Sequence, residues 1–136
     1  MPLTGSCMCG STGYAADSEP LVTALCHCAD CQKWTGGPCT SNVVVPRDSF
    51  SITKGSPKHC DVTGKSGKNN RHFFCPECGS SLYTEVEIMA DKTIIKAGTL
   101  DNGETGLRGH VDVEFYVKDR VGFVPAIEGA KQEATM

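Results

Sequence analysis

The residues of this chain best suited to chemistry are its cysteines, nine in a length of 136. All but Cys39 and Cys60 fall into three tight clusters: Cys7-Met-Cys9, Cys26-His-Cys28-Ala-Asp-Cys31 and Cys75-Pro-Glu-Cys78. Thiolates at this spacing are soft metal ligands, and a tetrahedral zinc ion takes four ligands. The clustered thiolates divide into a closed site of four and an open site of three. A closed site holds a fold together, whereas an open site leaves a coordination position for water or substrate.

Cys75-Pro-Glu-Cys78-Gly79 reads as a zinc knuckle. Two thiolates three apart grip one ion when the backbone between them turns tightly, and Gly79 permits the positive φ such a turn demands. Cys7-Met-Cys9-Gly10 offers a second pair. Together they make a four-thiolate site that ties the N-terminal segment to the middle of the chain and stabilises a small fold by closing a long loop. For Cys26, Cys28 and Cys31 two readings stand: Cys39 or Cys60 closes the site as a fourth ligand, or the fourth position is open. An open site of this kind has a definite chemistry. Three thiolates outweigh the charge of Zn²⁺ and leave a core of net −1, a weaker Lewis acid than zinc on three neutral histidines. Such a centre suits a soft ligand such as a substrate thiol, which bound zinc would hold as thiolate. Carbon–sulfur bond formation or cleavage follows.

Short strands must position these residues. The apolar runs around Asn42–Val45, Ser49–Ile52, Arg71–Phe74, Ser81–Val86, Thr93–Ala97 and Val111–Val117 are rich in β-branched and aromatic residues, and turn residues separate them. In the last run Val111, Val113, Phe115 and Val117 are expected on one face, and Asp112, Glu114 and Tyr116 on the other. The fold class is therefore mainly β, built of short antiparallel sheets. One helical turn is expected, Ala29 to Thr35, carrying the third cysteine of the middle cluster. Gly64-Lys65-Ser66 is not a phosphate loop, because the glycine required five residues earlier is His59. The segment reads as an exposed hairpin loop.

The formal net charge of −3, without a basic run, lacks the footprint of a nucleic-acid binder. No apolar stretch approaches the ~20 residues that span a bilayer. The N-terminus shows no secretory signal, so a cytoplasmic location is expected, where clustered cysteines bind metal rather than form disulfides. The length suits a single domain over residues 1–136.

Three segments together resemble one family. Gly5-Ser6-Cys7-Met8-Cys9-Gly10 is similar to its opening motif, Cys26 through Pro38 to its central signature, and Phe74 through Tyr83 to its third. Ala97-Gly98-Thr99-Leu100-Asp101 and Val117 through Gly122 resemble its C-terminal landmarks. On these residues the chain resembles the glutathione-dependent formaldehyde-activating enzyme family, also called the Gfa or centromere-protein-V-like family. The resemblance implies a β-tent fold and two zinc ions per chain. One is structural, on Cys7, Cys9, Cys75 and Cys78. The other is catalytic, on Cys26, Cys28 and Cys31, with an exchangeable fourth position. It implies a carbon–sulfur lyase or synthase whose partners are a small thiol, glutathione, and an electrophilic small molecule such as an aldehyde. The alternative is a non-enzymatic, zinc-stabilised β-tent binding module.

Cys39 departs from the family by standing where many members carry a bulky aromatic, close in sequence to the presumed catalytic zinc. With Trp34 as a wall and Lys33 as a carboxylate partner, it makes up the expected substrate-binding set. Arg47 and Arg71 are further candidate carboxylate partners. His27, flanked by two ligands on extended chain, is expected to face away from the metal. His59, His72 and His110 have no ligand spacing and read as structural.

Overall fold

A computed structural model of the chain describes residues 2–136. Its strands are β1 (Leu3–Ser6), β2 (Gly13–Ala16), β3 (Val22–Cys26), β4 (Thr40–Pro46), β5 (Phe50–Lys54), β6 (Lys58–Thr63), β7 (Asn69–Phe74), β8 (Ser81–Val86), β9 (Lys92–Lys96), β10 (Val113–Phe115) and β11 (Lys131–Gln132). The single α-helix among the described residues is α1 (Ala29–Thr35), and short 3₁₀ turns fill several connections. The strands form a small sheet in the order β1-β2-β5 and a larger one in the order β11-β10-β3-β4-β9-β8-β7-β6. The mainly β class and the one helical turn are as expected.

Period-two alternation divides the large sheet into two faces with different tasks. Val43, Val45, Tyr83 and Ile95 point to one side and join Leu3, Tyr14 and Ala16 of the small sheet in a buried core. A run of aromatic rings stitches the layers: Tyr14 to Phe50 at 5.3 Å between centroids, Phe50 to Tyr83 at 4.5 Å, and Tyr83 to Phe73 at 4.3 Å. The alternate positions Ala24, Asn42, Val44, Ile94, Thr84 and His72 point to the other side and line a cleft.

The two layers approach so closely at Gly5, opposite Tyr14 in the β1–β2 register, that no side chain fits there. A Cβ would overlap the Tyr14 hydroxyl and come within 2.5 Å of the Thr99 carbonyl oxygen. Tyr14 cannot retreat, since it is buried and its hydroxyl hydrogen-bonds Thr99 Oγ1 at 2.7 Å. Gly5→Ala is expected to destabilise the fold by roughly 1–3 kcal/mol or more, read as a lowered Tm. An unchanged Tm would show that the layers part there.

The C-terminal third differs from the expected pattern. The strand is shorter, Val113–Phe115, and Tyr116 ends it with φ 56°. It pairs parallel with both β3 and β11 in a sheet otherwise antiparallel. Glu114, expected on the face opposite Val111, Val113, Phe115 and Val117, is fully buried. The residues that follow fold back over that face and bring Arg120, Gln132 and the backbone N–H of Ile127 onto its carboxylate.

Candidate metal centres and the adjoining cleft

Cys7, Cys9, Cys75 and Cys78 gather with their sulfur atoms within 4.8 Å of one another. Two tight turns of similar design bring them there. In the first, Gly10 takes φ 80° and its N–H donates to the Cys7 carbonyl. In the second, Gly79 takes φ 78° and donates to the Cys75 carbonyl. The sulfurs of Cys7 and Cys9 lie 3.6 Å apart, and those of Cys9 and Cys75 3.9 Å. Ligands at 2.3 Å from a tetrahedral zinc would be about 3.8 Å apart, so the donor set fits such an ion. Nearby hydroxyls favour the thiolate forms. Ser11 Oγ, 3.2 Å from Cys75 Sγ, leads the groups that hold that thiol down to about 5. Ser80 Oγ, 3.1 Å from Cys78 Sγ, holds that one down to about 7.

Cys26, Cys28 and Cys31 form the second group that can hold a metal ion. Cys26 ends β3, Cys28 caps α1, and Cys31 lies in its first turn, so the change from strand to helix folds three sulfurs together. Cys28 Sγ accepts a hydrogen bond from the Cys31 N–H at 3.2 Å, and Gly36, with φ 69°, closes the helix at its other end. Among the described residues, no fourth cysteine, histidine or carboxylate joins this group. Mutual hydrogen bonds divide the protons unequally. Cys31 is drawn down to about 3 by Cys26 and Cys28, with help from Thr40, while Cys26 is pushed far up by Cys28, Cys31 and burial. Three crowded thiols that share protons in this way answer readily to a cation.

His27 turns away from the sulfurs. Its Nε2 lies 2.7 Å from Glu114 Oε1, and both residues are fully buried. Burial pushes the Glu114 carboxyl up, but Gln132, the Ile127 N–H, His27 and Arg120 outweigh it and hold the group down to about 2.

The three-cysteine group lies in a cleft of about 120 Å³. His72, Lys96 and Tyr116 line it with the cysteines, and Lys65, Ser66 and Met136 contribute from other segments. The His72 ring stacks on Trp34 at 4.8 Å, and its Nδ1 lies 3.1 Å from Thr84 Oγ1. Trp34 stands behind His72, its indole N–H donating to Ser81 Oγ. Lys33 is exposed on α1 and outside the cleft lining. Cys39 also lies outside the lining, partly buried and within electrostatic reach of Cys31, its thiol pushed up by burial. Cys60 is exposed on β6. Arg47 and Arg71 border a separate notch, where Arg47 lies 3.4 Å from Glu85 and Arg71 2.8 Å from Asp61. Residues 64–68 do form a hairpin turn, but one whose Lys65 and Ser66 reach the cleft.

Sequence reasoning set aside His72 and never singled out Lys96 or Tyr116. For the first two a signal existed. Both sit at alternate strand positions that point away from the aromatic core.

Residues 2–119 match the family model described as glutathione-dependent formaldehyde-activating enzyme. Among solved structures, a crystal structure of a Rhodobacter sphaeroides protein matches with a TM-score of 0.62 at 16% identity. The match covers 79% of this chain and 96% of that one, and it supports the fold. No curated protein matches the chain. No helix among the described residues is long and apolar enough to cross a membrane.

Proposed function

The chain belongs to the glutathione-dependent formaldehyde-activating enzyme family, and from that premise we propose that it is a zinc-dependent carbon–sulfur lyase or synthase. Its substrate is a small thiol adduct, formed from glutathione and an aldehyde or another small electrophile. One observation carries this reading: one cysteine group has four members, whereas the other has three and opens onto a cleft. A non-enzymatic binding module would need neither the missing fourth ligand nor the cleft beside it.

Cys7, Cys9, Cys75 and Cys78 would hold a structural zinc, and Cys26, Cys28 and Cys31 a catalytic one. At an exchangeable position, bound zinc supplies the Lewis acidity that keeps a substrate thiol ionised near neutral pH. The protein's own residues do the rest. The strand-to-helix turn of Cys26, Cys28 and Cys31 fixes where the substrate sulfur sits, on the floor of the cleft. The cleft walls hold the electrophilic carbon against that sulfur and limit the water beside it. His72 presents Nε2 as a site for the proton that leaves the thiol or reaches the new hydroxyl, because its Nδ1 is engaged by Thr84 and its ring is fixed on Trp34. Nine cysteines with no disulfide among them suit a reducing compartment such as the cytoplasm.

The test is Cys28→Ser. Serine is an equally good helix cap, so the hydrogen bond from the Cys31 N–H survives while the soft ligand is lost. Exchange of formaldehyde between its free and glutathione-bound forms, followed by NMR, is expected to slow at least ~100-fold, with Tm nearly unchanged. A variant that unfolds, or one that retains full turnover, would overturn the assignment.

A further inference from the structure

Lys96 sits at the end of β9 on the cleft face, its Cα opposite that of Asn42 in the register with β4. Nζ donates to Asn42 Oδ1 at 2.8 Å. That oxygen cannot turn away, because the Asn42 amide NH₂ is held by the carbonyls of Ala24 and Thr40 and by Thr40 Oγ1. The ammonium has three donors, and this is the one hydrogen bond it makes among the described residues. No carboxylate of the described residues forms an ion pair with it. Burial lowers its pKa from the ordinary lysine value, and the charges of Cys31, Cys26 and Cys28 act against burial and favour the ammonium.

We infer that Lys96 is the fixed counter-charge of the three-cysteine centre and sets its preference for an anionic fourth ligand, above all a thiolate. The inference rests on the reading of that centre as a zinc site with an exchangeable position. The charges decide the matter. Three thiolates and Zn²⁺ sum to −1, and adding a substrate thiolate makes −2, an unfavourable total in a partly buried cleft. With the Lys96 ammonium beside the sulfurs, the resting site is neutral and the thiolate-bound site carries only −1. Lys96 thereby offsets the repulsion that three anionic ligands impose on a fourth. Asn42 is its positioning residue, holding Nζ on the floor of the cleft rather than letting it extend towards solvent.

The experiment uses protein loaded with Co²⁺ in place of zinc, whose sulfur-to-cobalt absorption reports the ligand shell directly. Wild type, Lys96→Met and Lys96→Arg are titrated with glutathione and, separately, with 2-mercaptoethanol, a thiol with no other charge. Lys96→Met is expected to lose affinity for both thiols alike, on the order of 10- to 100-fold. Lys96→Arg, which keeps the charge, is expected to retain most of the affinity. Lys96→Gln replaces Lys96→Met should the latter not fold. Loss for glutathione alone would make Lys96 a carboxylate clamp and overturn the counter-charge. Unchanged affinity for both thiols in the neutral variant would overturn it outright. A wild-type spectrum that ignores thiols would instead overturn the open-site reading beneath it, so the two failures are distinct.

Discussion

Cys75→Ser is expected to leave the chain largely unfolded under conditions where the wild type is folded. Cys75 is fully buried and belongs both to the four-cysteine group and to the hydrophobic core beside Leu3, Tyr14 and Leu82. The proposed zinc there joins two segments 66 residues apart in sequence, at Cys9 and Cys75. Structural zinc in small domains contributes on the order of 10–16 kcal/mol at neutral pH, against about 5–15 kcal/mol for the net stability of a whole domain. Removal of one thiolate therefore acts on the scale of the entire folding free energy. Circular dichroism with metal content would read it, and a strong chelator should reproduce the loss in the unmodified protein. A variant that melts within a few degrees of wild type with its metal retained would mean that this group is not what holds the layers together.

The second large effect is expected at Glu114. Its carboxylate is the hub for His27, Arg120, Gln132 and the Ile127 N–H; Glu114 and His27 are fully buried, while Arg120, Ile127 and Gln132 cover them from the surface side. Glu114→Ala leaves the fully buried His27 without its partner, and breaking such a buried pair costs roughly 3–5 kcal/mol. The damage should reach the metal centre selectively. His27 lies between Cys26 and Cys28, so loss of its anchor frees the loop that presents both sulfurs. The variant is expected to keep the metal of the four-cysteine site and lose the other, falling from two ions per chain to one. Retention of both metals with an unchanged Tm would contradict this. The pH dependence has a definite sign. The folded-state pKa is depressed to about 2 from the ordinary glutamate value of 4.5. The contribution of Glu114 is thus fully present above the unfolded value and is lost as pH falls through the folded one.

What was legible in the sequence was whatever depends on near neighbours. The three cysteine clusters, the knuckle turn and the helix Ala29–Thr35 all follow from spacings of a few residues, and each is in place, while the union of Cys7 and Cys9 with Cys75 and Cys78 follows from the four ligands that one zinc takes. β4, β5, β7, β8, β9 and β10 were legible because turn residues delimit them, whereas β1, β2, β3, β6 and β11 were not among the expected runs. What was not legible depends on register and on chain that returns from far away. Lys96 reaches the cysteines because β9 pairs with β4, which pairs with β3, and no local pattern states that order. Glu114 alternates with valine and phenylalanine as a solvent-facing residue would, and only the returning segment from Arg120 to Gln132 turns that face into an interior. Lys33 was read as a partner for a substrate carboxylate, and the helix places it on the exposed surface.

The knuckle follows directly on the end of β7. His72 lies within that strand and Cys75 just past its last residue, Phe74, with a register shift between Phe73 and Phe74 separating them. A β-strand can slip along its neighbour, and a slip of one residue exchanges its two faces. Here that error would swing Phe73 out of the aromatic stack and His72 into the core. Cys75 and Cys78, once bound to one ion with Cys7 and Cys9, forbid the slip, because a displaced sulfur can no longer reach the shared centre. The closed site, with its ion bound, would thus act as a proofreader of strand alignment. An ion that touches no substrate would determine which side of the sheet faces the proposed chemistry.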